Sequence, residues 1–120
     1  VTLGSDPMLV MEYMQMGSLF SLLQNKTVPL SGELILPILK DVAKGLRFLH
    51  SASPPVVHSD LKCANILVDS RLHAKVADFG LSQKRKVGSG TPYWMAPELL
   101  RKESDNTPAS DVYSFGIILY

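Results

Sequence analysis

The 120-residue sequence contains a single cysteine and almost no net charge. Because Cys63 has no second cysteine to pair with, a disulfide within the chain is excluded, and a reducing compartment is favoured. The 12 basic and 11 acidic side chains give a formal charge of +1, which predicts neither a nucleic-acid partner nor an anionic membrane surface. The apolar runs are far shorter than the roughly 18 residues that a membrane span requires. These absences predict no nucleic-acid contact and no membrane contact within this chain.

What the sequence does contain is the composition of a packed domain. Apolar residues make up 46% and charged residues 19%, a balance typical of globular rather than disordered chains. The sequence stops within an apolar helical run, Ile117–Tyr120, whereas natural domains usually end in polar residues. We therefore expect the 120 residues to be a piece of a domain.

Residues 1–13 are predicted to form two short strands around a turn. The turn contains Gly4, Asp6 and Pro7, which are residue types that break regular structure. The continuous apolar run Met8–Tyr13 is typical of a buried strand. This part of the chain would therefore join a sheet.

Three later segments are predicted helices. Residues 18–24 follow Gly17, and residues 31–50 repeat apolar side chains at steps of three and four, which gives one buried face. That face comprises Ile35, Leu39, Val42, Leu46 and Leu49. The last helix begins near Ser110 and carries Val112, Phe115 and Leu119 on one face.

A hairpin and a loop are predicted between the second and third helices. Ile66–Asp69 and Lys75–Ala77 have the composition of paired strands. Residues 81–93 contain glycine, proline and basic side chains and are predicted to be a mobile loop. Residues 88–90 imitate a phosphate-binding loop, but no third glycine follows and Pro92 intervenes, so we reject that interpretation.

The residues that carry chemistry lie in one loop and at the end of the hairpin. Asp60, Lys62 and Asn65 precede the first strand, and Asp78 follows the second. Because a hairpin returns its second strand beside its first, Asn65 and Asp78 should end near each other. Two hard oxygen ligands suit Mg²⁺, which takes a few protein oxygens together with water and phosphate. Asp60 would accept a proton from a substrate hydroxyl, and Lys62 would stabilise charge on a transferred phosphoryl group.

Each of these residues also has a structural interpretation. Taken singly, Asp60 and Asp78 suit turns or helix caps, and Asn65 suits a turn. Lys62 could be a solvated surface charge, and His58 alone is better explained as a packed core histidine than as a ligand. Their common loop and spacing favour the catalytic interpretation.

Four motifs follow one another along the chain: HSDLKCANILVD, ADFG, WMAPE and DVYSFG. Their order and spacing resemble the catalytic half of protein kinases, most similarly the serine/threonine kinases of the tyrosine-kinase-like group. The resemblance implies an α+β, protein kinase-like fold, with hinge strands and a helical C-terminal lobe, truncated at both ends. Residues 1–120 would be a partial kinase domain, in which residues 1–16 end the N-lobe sheet and form the hinge, and residues 17–120 form an incomplete C-lobe.

The resemblance implies a role for each residue of the loop. Asp60 matches the catalytic base, and Lys62 matches the lysine of serine/threonine-type loops. Asn65 and Asp78 match the two metal ligands, with Asp78 chelating the ion that bridges the outer phosphates. Thr91 matches the threonine that bridges the catalytic aspartate and lysine.

The segment MLVMEYMQMGSL resembles the kinase hinge and implies an adenine site. Met11 falls at the gatekeeper position, and Glu12 and Met14 would offer backbone groups to the adenine edge. Gly17 permits a flat backbone at the mouth of the pocket. Leu67 matches the apolar floor beneath the base.

The resemblance also bears on two further positions, one structural and one regulatory. Asp111 resembles the buried anchor of the catalytic-loop backbone. Ser59 stands where the family has an arginine that meets a phosphate on the activation loop, so the usual arginine–phosphate switch lacks its acceptor. We therefore hypothesise that activity does not need phosphorylation of Ser82, Ser89 or Thr91.

The function that follows is transfer of phosphate from ATP, with Mg²⁺, to serine or threonine hydroxyls of a protein substrate by the complete domain. Tyrosine or dual specificity stays open, and the isolated fragment is expected to be inactive. The alternative is a catalytically dead kinase-like domain that acts as a scaffold or allosteric partner, which Ser59 favours slightly. The expected location is the cytoplasm, or the cytoplasmic side of a receptor whose other segments lie outside this sequence.

Overall fold

The computed structural model describes residues 2–3, 6–78 and 90–120. The regular elements within them are β1 Thr2–Leu3, β2 Asp6–Pro7, β3 Gly17–Ser18, α1 Leu19–Gln24, α2 Gly32–His50, β4 Ile66–Val68, β5 Ala74–Val76, α3 Pro97–Leu100 and α4 Pro108–Leu119. Short 3₁₀ turns add Cys63–Asn65 and Pro92–Trp94. None of the described helices is long and apolar enough to cross a membrane. The combination of helices and small antiparallel sheets confirms the predicted α+β class.

The chain begins with the predicted pair of strands, but the second strand lies earlier than expected. β1 and β2 pair antiparallel, so Asp6 and Pro7 belong to a strand and not to the turn. The prediction that Met8–Tyr13 forms a buried strand is wrong, because these residues have no regular structure and are exposed. A strand needs a neighbour for its backbone groups, and no described strand lies beside this run.

Each of the first two helices has a serine as its N-cap residue. The side chain of Ser18 accepts a hydrogen bond from the backbone N–H of Ser21, which caps α1. The carbonyl of Ser31 accepts hydrogen bonds from two N–H groups in the first turn of α2. The buried face of α2 comprises Ile38, Val42, Leu46 and Leu49. The predicted members Ile35 and Leu39 are only half-buried, whereas Ile38, which was not predicted, is fully buried.

A three-stranded antiparallel sheet, with strand order β3-β4-β5, lies against α2. The hairpin of β4 and β5 was predicted, whereas its third strand was not. Ile66 and Val68 of β4 are fully buried in the core. Because side chains alternate along a strand, the half-buried Leu67 points to the opposite face of the sheet.

Helix α2 approaches β5 closely at a glycine. A Cβ atom added to Gly45 would lie 3.3 Å from Cγ2 of Val76, which is tighter than most such contacts. The missing side chain therefore sets the distance between helix and sheet. The core that forms there comprises Leu19, Leu22, Ile38, Val42, Leu46, Leu61, Ile66, Val68 and Ala74.

The inward face of α4 differs from the prediction. Val112 and Leu119 are more than half exposed, and Phe115 is half-buried against the core. The buried positions are the polar residues Ser110, Asp111 and Ser114. The helix turns its polar side inward because Asp111 and Ser114 hydrogen-bond the segments that form the site described next, while Ser110 bonds the cap residue Thr107.

Candidate active site

The catalytic loop, defined here as residues 58–65, connects the region after α2 to β4. His58 is completely buried, as predicted for a core histidine. Its Nε2 donates to the carbonyl of Ala77 at 2.7 Å, and its Nδ1 accepts from the N–H of Asp60 at 3.1 Å. These partners fit a neutral imidazole protonated at Nε2. His58 therefore connects the start of the loop to the end of β5.

Asp111 holds the backbone of the catalytic loop from below. Its carboxylate is 1% exposed and accepts hydrogen bonds from the N–H groups of His58 at 2.7 Å and Ser59 at 2.9 Å. Nε2 of His50, at the end of α2, donates to it at 2.8 Å. Ser59 has φ +71°, a left-handed conformation that non-glycine residues rarely adopt. A buried carboxylate is costly unless it is hydrogen-bonded, so Asp111 favours the conformation in which all three donors reach it. Two of these donors are backbone N–H groups of the turn, and the turn is therefore held in place.

Asp60, Lys62 and Thr91 form a triangle of polar contacts. The Thr91 hydroxyl donates to Oδ1 of Asp60 at 2.8 Å and accepts from Nζ of Lys62 at 2.8 Å. Nζ of Lys62 lies 3.6 Å from Oδ2 of Asp60. The structure therefore brings together three of the residues selected from the sequence, although Thr91 is 31 positions from Asp60.

Asn65 and Asp78 lie at the same end of the hairpin. Nδ2 of Asn65 donates to the carbonyl of Asp60 at 2.8 Å, which turns the amide oxygen the other way. The N–H of Ala77 donates to the carbonyl of Asn65 at 2.8 Å. Asp78, whose side chain is exposed, is the next residue after Ala77.

The donor set at this end of the hairpin suits a hard cation that takes few protein ligands. An amide oxygen and a carboxylate are ligands that Mg²⁺ prefers, with water and phosphate completing its shell. In the part of the chain that the structure describes, no group of three or more histidine, cysteine, aspartate or glutamate side chains converges as a metal site. The amide oxygen of Asn65 and the carboxylate of Asp78 are the ligand types that the predicted Mg²⁺ requires.

Part of the predicted site lies outside the described residues. Phe79 and Gly80 of the ADFG motif belong there, as do residues 81–89 of the predicted mobile loop. The phosphorylation hypothesis, which involves Ser82 and Ser89, therefore stays a prediction.

The predicted adenine site begins where the chain enters the three-stranded sheet. Met14 is buried, and its carbonyl accepts a hydrogen bond from the N–H of Gly17 at 3.1 Å. Gly17 has φ +70°, which glycine adopts without strain. Gly17 pairs with Val68, and the next residue pairs with Leu67. Gly17 and Leu67 are therefore close neighbours on one sheet.

The two remaining hinge residues lie in the hinge run, defined here as residues 8–13. Met11 is 66% exposed. The carboxylate of Glu12 forms an ion pair with Lys75 of β5, and both side chains are more than half exposed. The run is therefore connected to the sheet by a surface contact, and the structure does not bring Met11 into the described core.

Three side chains near the site were missed in the sequence. His50 donates to Asp111, and the Ser114 hydroxyl donates to the carbonyl of Trp94 at 2.6 Å. Asn106 lies in the loop before α4, beside the same contacts. One signal was available for Ser114, because it is separated by three and four positions from two other polar residues, Asp111 and Ser110, and so shares a helix face with them.

Local surroundings shift the pKa of the Cys63 thiol and that of the Asp69 carboxyl. Burial raises the pKa of the Cys63 thiol, which makes the reactive thiolate scarcer. The backbone N–H of His73, and more weakly that of Arg71, lowers the pKa of the Asp69 carboxyl in the hairpin turn. Both shifts are explained by local structure and require no catalytic role.

Comparison of the sequence with known proteins shows the family of the chain. A model of the protein kinase domain matches residues 3–120. The probable serine/threonine-protein kinase drkB of Dictyostelium discoideum is 44% identical over 123 aligned positions, which cover 98% of this chain and 18% of that protein. Serine/threonine-protein kinase CTR1 of Arabidopsis thaliana is 46% identical, over 100% of this chain and 16% of that protein.

A relative from an animal is similar over nearly the same region. Receptor-interacting serine/threonine-protein kinase 3 of Rattus norvegicus is 41% identical, over 95% of this chain and 26% of that protein. The chain thus spans about a quarter or less of the length of these three relatives. What the relatives do as whole proteins is therefore a guide to proposals about this chain.

Proposed function

Because the chain belongs to the protein kinase family, we propose that a complete domain containing it transfers the γ-phosphoryl group of ATP to serine or threonine hydroxyls of a protein substrate. The relatives confirm its resemblance to serine/threonine kinases of the tyrosine-kinase-like group. The single observation that carries the proposal is the triangle of Asp60, Lys62 and Thr91.

Asp60 is the proposed catalytic base. The substrate oxygen forms a bond to the γ-phosphorus, the bond from that phosphorus to the bridging oxygen breaks, and ADP leaves. The hydroxyl proton passes to the carboxylate of Asp60, which the Thr91 hydroxyl orients at 2.8 Å. The ammonium group of Lys62 donates a hydrogen bond to the Thr91 hydroxyl. It supplies positive charge where the transferred phosphoryl group gains negative charge.

Asn65 and Asp78 are the proposed metal ligands, and a bound Mg²⁺ would neutralise charge on the phosphate oxygens. The support comes from their placement at one end of the hairpin. Nδ2 of Asn65 is engaged by the carbonyl of Asp60, which orients its oxygen side for the cation. The same contact ties the metal ligand to the proposed base.

The proposed adenine site uses Met11, Glu12, Met14, Gly17 and Leu67. The support is the sheet register, which puts Gly17 beside β4 and turns Leu67 away from the core. The proposed boundary between hinge and C-lobe near residue 16 is supported by a hydrogen bond from Met16 N–H to the carbonyl of Val68 at 3.0 Å.

We expect the isolated 120 residues to be inactive. Within the described residues, the hinge run has no strand partner, and its side chains are largely exposed. An adenine site that depends on this run would therefore be poorly preorganised. Transfer of phosphate by the isolated chain, abolished by Asp60→Asn, would contradict this expectation.

The test is a Mg²⁺-ATP assay on the complete domain with a serine- and threonine-bearing protein substrate. We expect Asp60→Asn to lower kcat by about 10²–10⁴-fold, because it removes the base and keeps the shape. Asp78→Asn should raise the Mg²⁺ concentration needed for activity. The matched control is Asp105→Asn, an exposed acid-to-amide change outside the triangle, which should leave kcat unchanged.

The second candidate is a catalytically dead kinase-like scaffold, which the serine at position 59 favours. The same assay separates the two candidates. If the unaltered complete domain binds a fluorescent ATP analogue but Asp60→Asn and the parent transfer phosphate equally slowly, the scaffold is the better account. A kinase predicts that only the variant is impaired.

A further inference from the structure

One small cavity lies where three segments distant in the sequence meet. These are the catalytic loop, the segment that contains Thr91 and Trp94, and the start of α4 with the loop before it. The volume open to the centre of a water-sized sphere is about 10 Å³. That volume corresponds to roughly one water molecule and no more.

An unsatisfied polar atom borders this cavity. Oδ1 of Asn106 is buried, and among the described residues it is the buried side-chain nitrogen or oxygen atom that has no hydrogen-bond partner. Buried polar atoms in native proteins are nearly always hydrogen-bonded to protein or to ordered water, because the desolvated atom is costly otherwise. The side-chain oxygen of Asn106 therefore requires a hydrogen-bond donor at this position.

The lining of the cavity offers further groups that a donor molecule could reach. Ser59, Ser110 and Ser114 contribute to it together with Asn106. The Ser114 hydroxyl donates its single proton to the Trp94 carbonyl at 2.6 Å, so its oxygen can still accept. The carboxylates of the lining already accept hydrogen bonds, that of Asp111 from three donors and that of Asp60 from the Thr91 hydroxyl.

We propose that this cavity is a binding site for one ordered water molecule. The water donates one hydrogen to the side-chain amide of Asn106 and bridges to a serine hydroxyl of the lining. It would connect the loop before α4 to the catalytic loop through Ser59, or to α4 itself through Ser110 or Ser114. Water also serves the amide in either orientation, because it both donates and accepts.

The first test is a crystal structure of the complete domain at a resolution that shows ordered waters. The expected result is density for one water within hydrogen-bonding distance of the Asn106 amide and of a second polar atom. The proposal is overturned if that density is absent, or if the amide hydrogen-bonds a protein group directly. The readout does not depend on activity, so it can fail while the proposed kinase function stands.

The second test is thermal unfolding of Asn106→Leu, which keeps the approximate size of the side chain. If water satisfies the amide, leucine leaves that water without its partner, and Tm falls by about 2–4 °C. If the amide is dry and unsatisfied, leucine removes a desolvated polar atom, and Tm rises instead. A rise overturns the proposal.

A matched control lies one residue away. Asp105 is exposed, and Asp105→Leu introduces the same side chain in the same loop outside the cavity. Its Tm should match that of the parent, since exposed substitutions rarely change stability much. In a crystal structure of Asn106→Leu the water density should be lost, while in Asp105→Leu it should stay. Persistence of the water in Asn106→Leu would show that Asn106 does not hold it.

Discussion

The catalytic loop and the hinge run are both largely irregular in structure, yet they are buried to very different degrees. In the loop, His58 is fully buried and Asn65 is 9% exposed, whereas in the hinge run Leu9 is 83% and Val10 75% exposed. The hinge run is the more apolar of the two. Hydrophobic composition therefore does not decide which segment is buried here.

What separates the two segments is the burial of the polar contacts described between each of them and distant parts of the chain. The catalytic loop receives hydrogen bonds through Asp111, Thr91 and the carbonyl of Ala77. The hinge run has the exposed ion pair of Glu12 with Lys75. The following variants test this difference, in order of expected effect.

The largest effect is expected for Asp111→Ala in the complete domain. The change leaves the N–H groups of His58 and Ser59 and the ring of His50 without their acceptor. Two or three unsatisfied buried donors cost about 3–5 kcal/mol, which should be measured as a lower free energy of unfolding in urea. Asp111→Asn keeps the shape and one acceptor and should cost less. Equal stability of Asp111→Ala and the parent would refute the anchoring role.

A smaller effect, confined to catalysis, is expected for Thr91→Ala. Without the hydroxyl, the carboxylate of Asp60 loses an orienting donor, so kcat should fall by about 10- to 100-fold. The KM for ATP should change little, because the hydroxyl of Thr91 contacts Asp60 and Lys62, which are not part of the proposed adenine site. Thr91→Ser restores the hydroxyl and should recover most of the activity. Loss of activity in Thr91→Ser equal to that in Thr91→Ala would show that the methyl group matters instead.

The hinge run should respond weakly to loss of its ion pair. A double-mutant cycle with Glu12→Gln and Lys75→Met should give a coupling free energy of about 0–1 kcal/mol, since both side chains are exposed. Thermal unfolding at low and high salt is the measurement, and salt should reduce the coupling further. A coupling as large as the effect of Asp111→Ala would erase the contrast between the two segments.

The smallest effect concerns Asp69 in the hairpin turn, far from the triangle. Because its pKa is lowered in the folded state, its carboxylate adds stability above the unfolded pKa and loses it as the pH falls through the folded pKa. The stability difference between the parent and Asp69→Asn should therefore shrink on acidification. Urea unfolding of both proteins across the acid range measures this, and a difference that grows with acid would have the wrong sign.

Local signals predicted the elements that rest on local physics. The helices α1 and α2 were found from apolar spacing, and the hairpin of β4 and β5 from its strand-like composition. The loop containing Asp60 and Asn65 was identified by the order of residue types, and its resemblance to kinases is confirmed. These features need no knowledge of distant contacts.

The errors occurred where a partner element decides the outcome. The apolar run Met8–Tyr13 was read as buried, although no described strand lies beside it to cover it. In α4 the apolar Val112 was assigned to the inner face, which Asp111 and Ser114 occupy in the structure. Apolar spacing cannot reveal such a reversal, because the stabilising contacts are hydrogen bonds to residues about 20 to 60 positions away.

The glycine in the middle of α2 has a practical consequence for engineering. An interior glycine costs a helix about 1 kcal/mol relative to alanine, so Gly45→Ala is an obvious stabilising substitution on paper. The added methyl group, however, would meet Val76 at 3.3 Å, so the sheet must yield by a few tenths of an ångström. A thermostable version of this chain would need to replace Val76 by a smaller residue in the same step, or leave position 45 unchanged.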